Sequence, residues 1–125
     1  MPSQDILQQI TIACDSVLKN KKIRSICIVD RMGNLIVEKK QPRIKFLISD
    51  KKARSLFLQS ALEILLHKDF DKQIGFLRYN ISRRNKVDVI TIPVYDYVVL
   101  VSVKPYENCD LIANSTIKNF EKILK

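Results

Sequence analysis

The sequence predicts an α+β fold, an α/β sandwich in which one five-stranded antiparallel sheet is flanked by helices in the order α-β-β-α-β-β-β-α. Three observations carry this expectation. Stretches with apolar residues every three or four positions alternate with stretches rich in β-branched residues. Only two glycines and four prolines occur among 125 residues, so little interrupts regular structure. The connections between strand-like runs are short, which favours hairpins and antiparallel pairing over long crossovers. A chain of this length suits a single domain spanning residues 1–125. No internal repeat or low-complexity segment is visible.

Ser3 stands where it can cap a first helix, whose apolar residues Ile6, Leu7, Ile10, Cys14, Val17 and Leu18 recur at helical spacing. Lys19, Asn20, Lys21 and Lys22 end that helix with cations at its C-terminus, where the dipole favours them. Residues 23–29 read as a strand, 30–34 as a turn around Gly33, and 35–39 as the returning strand. Pro42 breaks the chain and Ser49 caps a second helix. On it Ala53, Leu56, Phe57, Leu58, Ala61, Leu62, Ile64, Leu65 and Leu66 cover more than one face. So wide a stripe faces either a second subunit or a second layer of the same chain. Residues 75–81 read as a third strand and 82–86 as a polar turn. Residues 87–94 and 97–103 form the fourth and fifth strands; ten of the seventeen residues from 87 to 103 are Val, Ile or Thr. Pro105 stops the sheet, and a last helix follows Asn108 with Ala113, Ile117, Phe120 and Leu124 on one stripe.

The formal net charge of +9 is localised. Residues 19–54 hold twelve basic side chains, Lys19, Lys21, Lys22, Arg24, Arg31, Lys39, Lys40, Arg43, Lys45, Lys51, Lys52 and Arg54, against Asp30, Glu38 and Asp50. The rest of the chain is neutral. Such an excess either attracts an anionic partner or serves only as a solubilising face. The longest charge-free apolar runs are seven residues, well short of the ~20 that span a membrane. The first residues carry no basic and apolar leader pattern, so a cytoplasmic location is expected.

No catalytic, cofactor-binding or metal-ligating residue is assigned, and no cofactor is expected. His67 is the sole histidine, and Gly33 and Gly75 alone cannot make a phosphate-binding glycine loop. The three cysteines have no metal spacing. Cys14 and Cys27 lie among apolar residues and are expected to pack as small hydrophobes. Cys109 opens the last helix, a position that can lower a thiol pKa and leaves a redox role open.

The first hairpin, Ile26-Cys27-Ile28-Val29-Asp30-Arg31-Met32-Gly33-Asn34-Leu35-Ile36, followed by a long helix and a three-strand meander, resembles the roadblock/dynein light-chain domain, a relative of longin and profilin-like folds. The resemblance covers essentially the whole chain. The stretches 81–87 and 99–105 also resemble a small archaeal family of such proteins without assigned activity. The resemblance implies a sheet ordered 2-1-5-4-3, with the first and last helices on one face and the second helix on the other. It further implies a homodimer through the second helix and third strand, which places Leu58, Leu62, Leu65 and Phe76 at the interface. Members commonly act as noncatalytic platforms for small GTPases or larger assemblies. The basic excess departs from that pattern.

On this topology the charges should converge. Lys21, Lys22 and Arg24 start the first strand beside Lys39 and Lys40 at the end of the second. Arg43, Lys45, Lys51 and Lys52 leave from the same end, and the turn carrying Arg83, Arg84 and Lys86 reaches it, while Arg31 sits alone at the opposite end. Lys51 and Lys52 occupy a helix N-terminus, where cations are disfavoured, which hints at an anionic partner. The resemblance makes the expected function a noncatalytic interaction module, a homodimeric scaffold or regulator of the small-GTPase-platform type, its protein partner unidentified and a small GTPase one candidate. The alternative is a basic nucleic-acid-binding domain of little sequence specificity, with an anionic membrane surface as its lesser variant. Trp is absent and Phe46 is the only aromatic residue in the basic stretch, so base-stacking platforms are scarce.

Overall fold

The computed structural model describes residues 2–124. Its sheet has five antiparallel strands in the order β2-β1-β5-β4-β3, formed by β1 (Ile23–Asp30), β2 (Leu35–Lys40), β3 (Asn80–Arg83), β4 (Asp88–Val94) and β5 (Tyr97–Val103). The helices are α1 (Gln4–Val17), α2 (Asp50–His67), the single turn α3 (Asp71–Ile74) and α4 (Cys109–Ile123). The fold class is that expected from the sequence, and the strand order is that implied by the roadblock resemblance.

Local chemistry explains the element starts. The Ser3 hydroxyl accepts from the Ile6 N–H at 3.2 Å, Ser49 from Lys52 at 3.2 Å, and the Asn108 carbonyl oxygen from Leu111 at 3.1 Å. Each satisfies an N–H that the first helical turn leaves without a partner. At the β1–β2 turn the Asp30 carboxylate accepts from the Met32 and Asn34 N–H groups, both at 2.9 Å, and from the Asn34 amide at 3.1 Å.

Strand alternation then assigns the layers, because successive side chains point to opposite faces. Ile26 and Ile28 of β1, Ile90 and Ile92 of β4, and Val99 and Val101 of β5 pack with Ile10 and Cys14 of α1 and Ile112 and Phe120 of α4. Cys27 and Val29, with Val98 and Leu100, pack on the other face against Phe57 and Ile64 of α2. The first and last helices thus share one face, and α2 holds the other.

Two boundaries differ from expectation. The third strand is confined to Asn80–Arg83, and residues 75–79 lie outside the sheet. In the observed register, with Asn80 opposite Thr91, continuing the strand backwards would set Arg78 opposite Pro93, which has no N–H to give. The expected polar turn correspondingly shifts to 84–87, and β4 starts at Asp88.

Candidate interaction surfaces

The two readings of the α2 stripe are now separable. Phe57, Ser60, Ala61 and Ile64 are buried against the sheet, whereas Leu58, Leu62, Leu65 and Leu66 are each more than half exposed. No second layer among the described residues covers them. Four large aliphatic side chains on one helix face form an apolar surface of the kind that marks an interaction site. Phe76, expected to join them on the third strand, is instead in the 75–79 segment, with 83% of its surface exposed. It lines a shallow hollow of about 380 Å³ with His67, Phe70, Ile74 and Tyr79, so it still borders the C-terminal end of α2. Leu66, Phe70 and Ile74 extend this apolar surface. Leu66 is within the expected stripe; Phe70 and Ile74, missed from sequence, continue the four-residue spacing of Leu62 and Leu66, and that spacing is the signal that could have found them.

The strand register gathers the basic residues at one end of the sheet. Ser25 lies opposite Lys40, Ile23 opposite Val103, Asp88 opposite Val103, and Arg83 opposite Asp88. Lys21, Lys22, Arg24, Lys39 and Lys40 therefore stand at the same end as Arg83, Arg84 and Lys86. Four inter-strand spacings, about 19 Å, separate β2 from β3, so the charges form a band and not a point. The linker joins the β1–β2 side: the Arg24 guanidinium donates to the Lys45 carbonyl at 3.0 Å and Lys40 Nζ to the Ile44 carbonyl at 2.9 Å. Lys104, missed from sequence, belongs to the band as well, since its N–H donates to the Lys22 carbonyl at 3.0 Å.

Part of this charge is neutralised internally. Lys22 pairs with Glu107 and Lys39 with Asp15, both at 3.3 Å, and Arg83 pairs with Asp88 at 3.0 Å. Arg31 is at the opposite end, as expected, but it is not alone: it pairs with Asp96. Lys51 and Lys52 are exposed on the first turn of α2.

Asp88 is the buried carboxylate of this end, and it also accepts from the Arg84 N–H at 3.0 Å and the Cys109 thiol at 3.7 Å. Cys109 is fully buried, and burial raises its pKa; the nearby Arg83 charge opposes this rise and Asp88 reinforces it. This corrects the expectation of a lowered pKa, since desolvation outweighs the helix N-terminus, and it leaves no activated thiol there. Burial likewise pushes Cys14 and Cys27 up to about 12, with Asp15 and Glu38 adding to it respectively. Both pack as hydrophobes, as expected.

An antiparallel 2-1-5-4-3 sheet with α1 and α4 on one face and α2 on the other defines a roadblock-type domain. Known structures share it. Myxococcus xanthus MglB is 20% identical with a TM-score of 0.75, the match covering 99% of this chain and 90% of that one. The Roadblock/LC7 domain from Streptomyces avermitilis is 6% identical with a TM-score of 0.69, covering 90% and 92%. An MglB with a tetrameric arrangement is 9% identical with a TM-score of 0.73, covering 98% and 92%. By sequence, the chain belongs to a family of unknown function, DUF6659, which matches residues 1–125. No curated protein matches it.

Proposed function

We propose that this protein is a noncatalytic interaction module, a single domain over residues 1–125 that self-associates and scaffolds or regulates another protein in the cytoplasm. The observation that carries the reading is the outer face of α2, where Leu58, Leu62 and Leu65 are exposed without a covering layer. Two copies joined by that face would remove these leucines, with Phe76 beside them, from water. Four-residue β3 lies at the sheet edge, so it offers unpaired backbone groups next to the same surface. The MglB and roadblock folds support the reading, one MglB being described in a tetrameric arrangement. The resemblance to roadblock domains supports a small GTPase as the partner class. Nucleic acid has less support, because Lys22, Lys39 and Arg83 are already ion-paired and Phe46 offers the basic stretch its single aromatic ring.

Light scattering tests the reading. The full chain should elute at twice its chain mass, and Leu62→Glu or Leu65→Glu should elute as a monomer with an unchanged circular dichroism spectrum. A wild-type monomer at micromolar concentration would remove the basis for self-association.

A further inference from the structure

The connection from β2 to α2 presents Phe46, Leu47 and Ile48 in succession, with 49%, 54% and 45% of their surface exposed. None of the three belongs to either buried core cluster. Connections on a protein surface are ordinarily polar, and three consecutive open apolar side chains carry a hydration cost that packing does not offset here. The segment is nevertheless tied down. Gln41 Nε2 donates to the Leu18 carbonyl at 2.7 Å and the Asn20 carbonyl at 3.3 Å. Arg24 and Lys40 hold the Lys45 and Ile44 carbonyls, and Ser49 caps α2 immediately afterwards.

Cations surround the apolar triplet. Lys40 Nζ lies 5.5 Å from the centre of the Phe46 ring. Arg43, Lys45, Lys51 and Lys52 flank it in the chain and are exposed, with Asp50 the single acid among them. These four take part in no ion pair among the described residues.

Each class of occupant can be weighed against this chemistry. A nucleic acid would satisfy the cations but offers nothing to Leu47 and Ile48. A second copy of this chain would cover the triplet, yet it would bring the same positive band with it. An anionic bilayer satisfies both, its acidic headgroups meeting the cations while the apolar side chains enter the headgroup–acyl boundary. We infer that residues 43–52 dock this protein peripherally on an anionic lipid surface, through Phe46, Leu47 and Ile48 within a rim of Arg43, Lys45, Lys51 and Lys52. The triplet precedes α2 in the chain and is distinct from Leu58, Leu62 and Leu65 on its outer face, and the inference does not require self-association.

The test is cosedimentation of the full chain with vesicles of phosphatidylcholine alone, or with about one-third phosphatidylserine. The protein should sediment with the anionic vesicles and not the neutral ones. Binding should fade at about 1 M salt, where the screening length falls to about 3 Å. Lys45→Ala with Lys51→Ala should lower the partition about tenfold or more. Phe46→Ser with Leu47→Ser should lower it comparably, with the circular dichroism spectrum and the light-scattering mass unchanged. Failure to bind anionic vesicles overturns the inference. So does full binding by the Phe46/Leu47 variant, which would leave a purely electrostatic surface. A change of oligomeric mass in that variant would assign the triplet to contact between copies, and equal retardation of duplex DNA by wild type and variant, without vesicle binding, would assign the band to nucleic acid.

Discussion

A Cβ placed on Gly33 would lie 2.7 Å from the Cα of Leu58, so the β1–β2 turn touches the backbone of α2 directly. The contact joins two positions 25 residues apart in sequence. It lets the backbone of Leu58 approach the hairpin while its side chain, 58% exposed, stays on the outer face. Gly33 also has φ +84°, in the left-handed region that a side chain disfavours.

Gly33→Ala should therefore be destabilising for two reasons at once. Left-handed strain contributes about 1 kcal/mol and the clash with a helix backbone about 1–3 kcal/mol more. A thermal melt should show a midpoint lower by roughly 10 °C. Gly75→Ala meets no atom within 4 Å, so it should lose only the strain of its φ of +90°. Equal losses at both sites would disprove a tight approach at Gly33.

The buried Asp88 carboxylate holds the β3–β4 turn together through Arg83, the Arg84 N–H and Cys109. Asp88→Ala leaves these donors without their charged acceptor and should cost about 2–3 kcal/mol. Urea unfolding should report this as a lower midpoint at unchanged slope. Asp88→Asn, which retains one acceptor, should lose less.

Asp30 titrates below its ordinary value of 3.8. Partial burial pushes its pKa up, but the Asn34 N–H, the Asn34 side chain and the Met32 N–H together outweigh that effect. A carboxylate with a lowered native pKa stabilises the fold above its unfolded pKa and loses that contribution as pH falls through the native value. The stability difference between wild type and Asp30→Asn should thus be full at neutral pH, about 1 kcal/mol, and shrink below pH 3.8. A difference that stays constant down to pH 2 would contradict it.

The three thiols are buried, and the ionised forms of Cys14 and Cys27 are disfavoured up to about pH 12. A thiol-specific disulfide reagent at about pH 8 should label none of the three in the native protein and all of them in denaturant. Because the native pKa values lie above the ordinary 9.0, stability should be intact below pH 9 and decline as pH rises from 9 towards 12. Rapid native labelling of Cys109 would restore the redox role that its burial argues against.

Much of the architecture was visible before any coordinates. Ser3, Ser49 and Asn108 mark their helices because a cap acts within three residues. The β-branched runs mark β1, β4 and β5 because pleated strands favour them. The third strand starts several residues later than its β-like run suggests, since its start depends on Pro93 of a different strand, and no local signal in 75–79 records that. Nothing local marks Phe46, Leu47 and Ile48 as half exposed; that they join neither core emerges only once both cores are filled by others.

The sequence alone established the order of elements, the width of the apolar stripe on α2 and the confinement of the net charge to residues 19–54. These depend on period, composition and capping, which operate over a few neighbouring residues. Which leucines of that stripe stay outside, which cations are spent on Glu107, Asp15 and Asp88, and that Cys109 is buried and not activated were decided by the tertiary structure. The reason is common to all three: burial and ion pairing depend on distance in space between groups far apart in the chain, and strand register sets that distance.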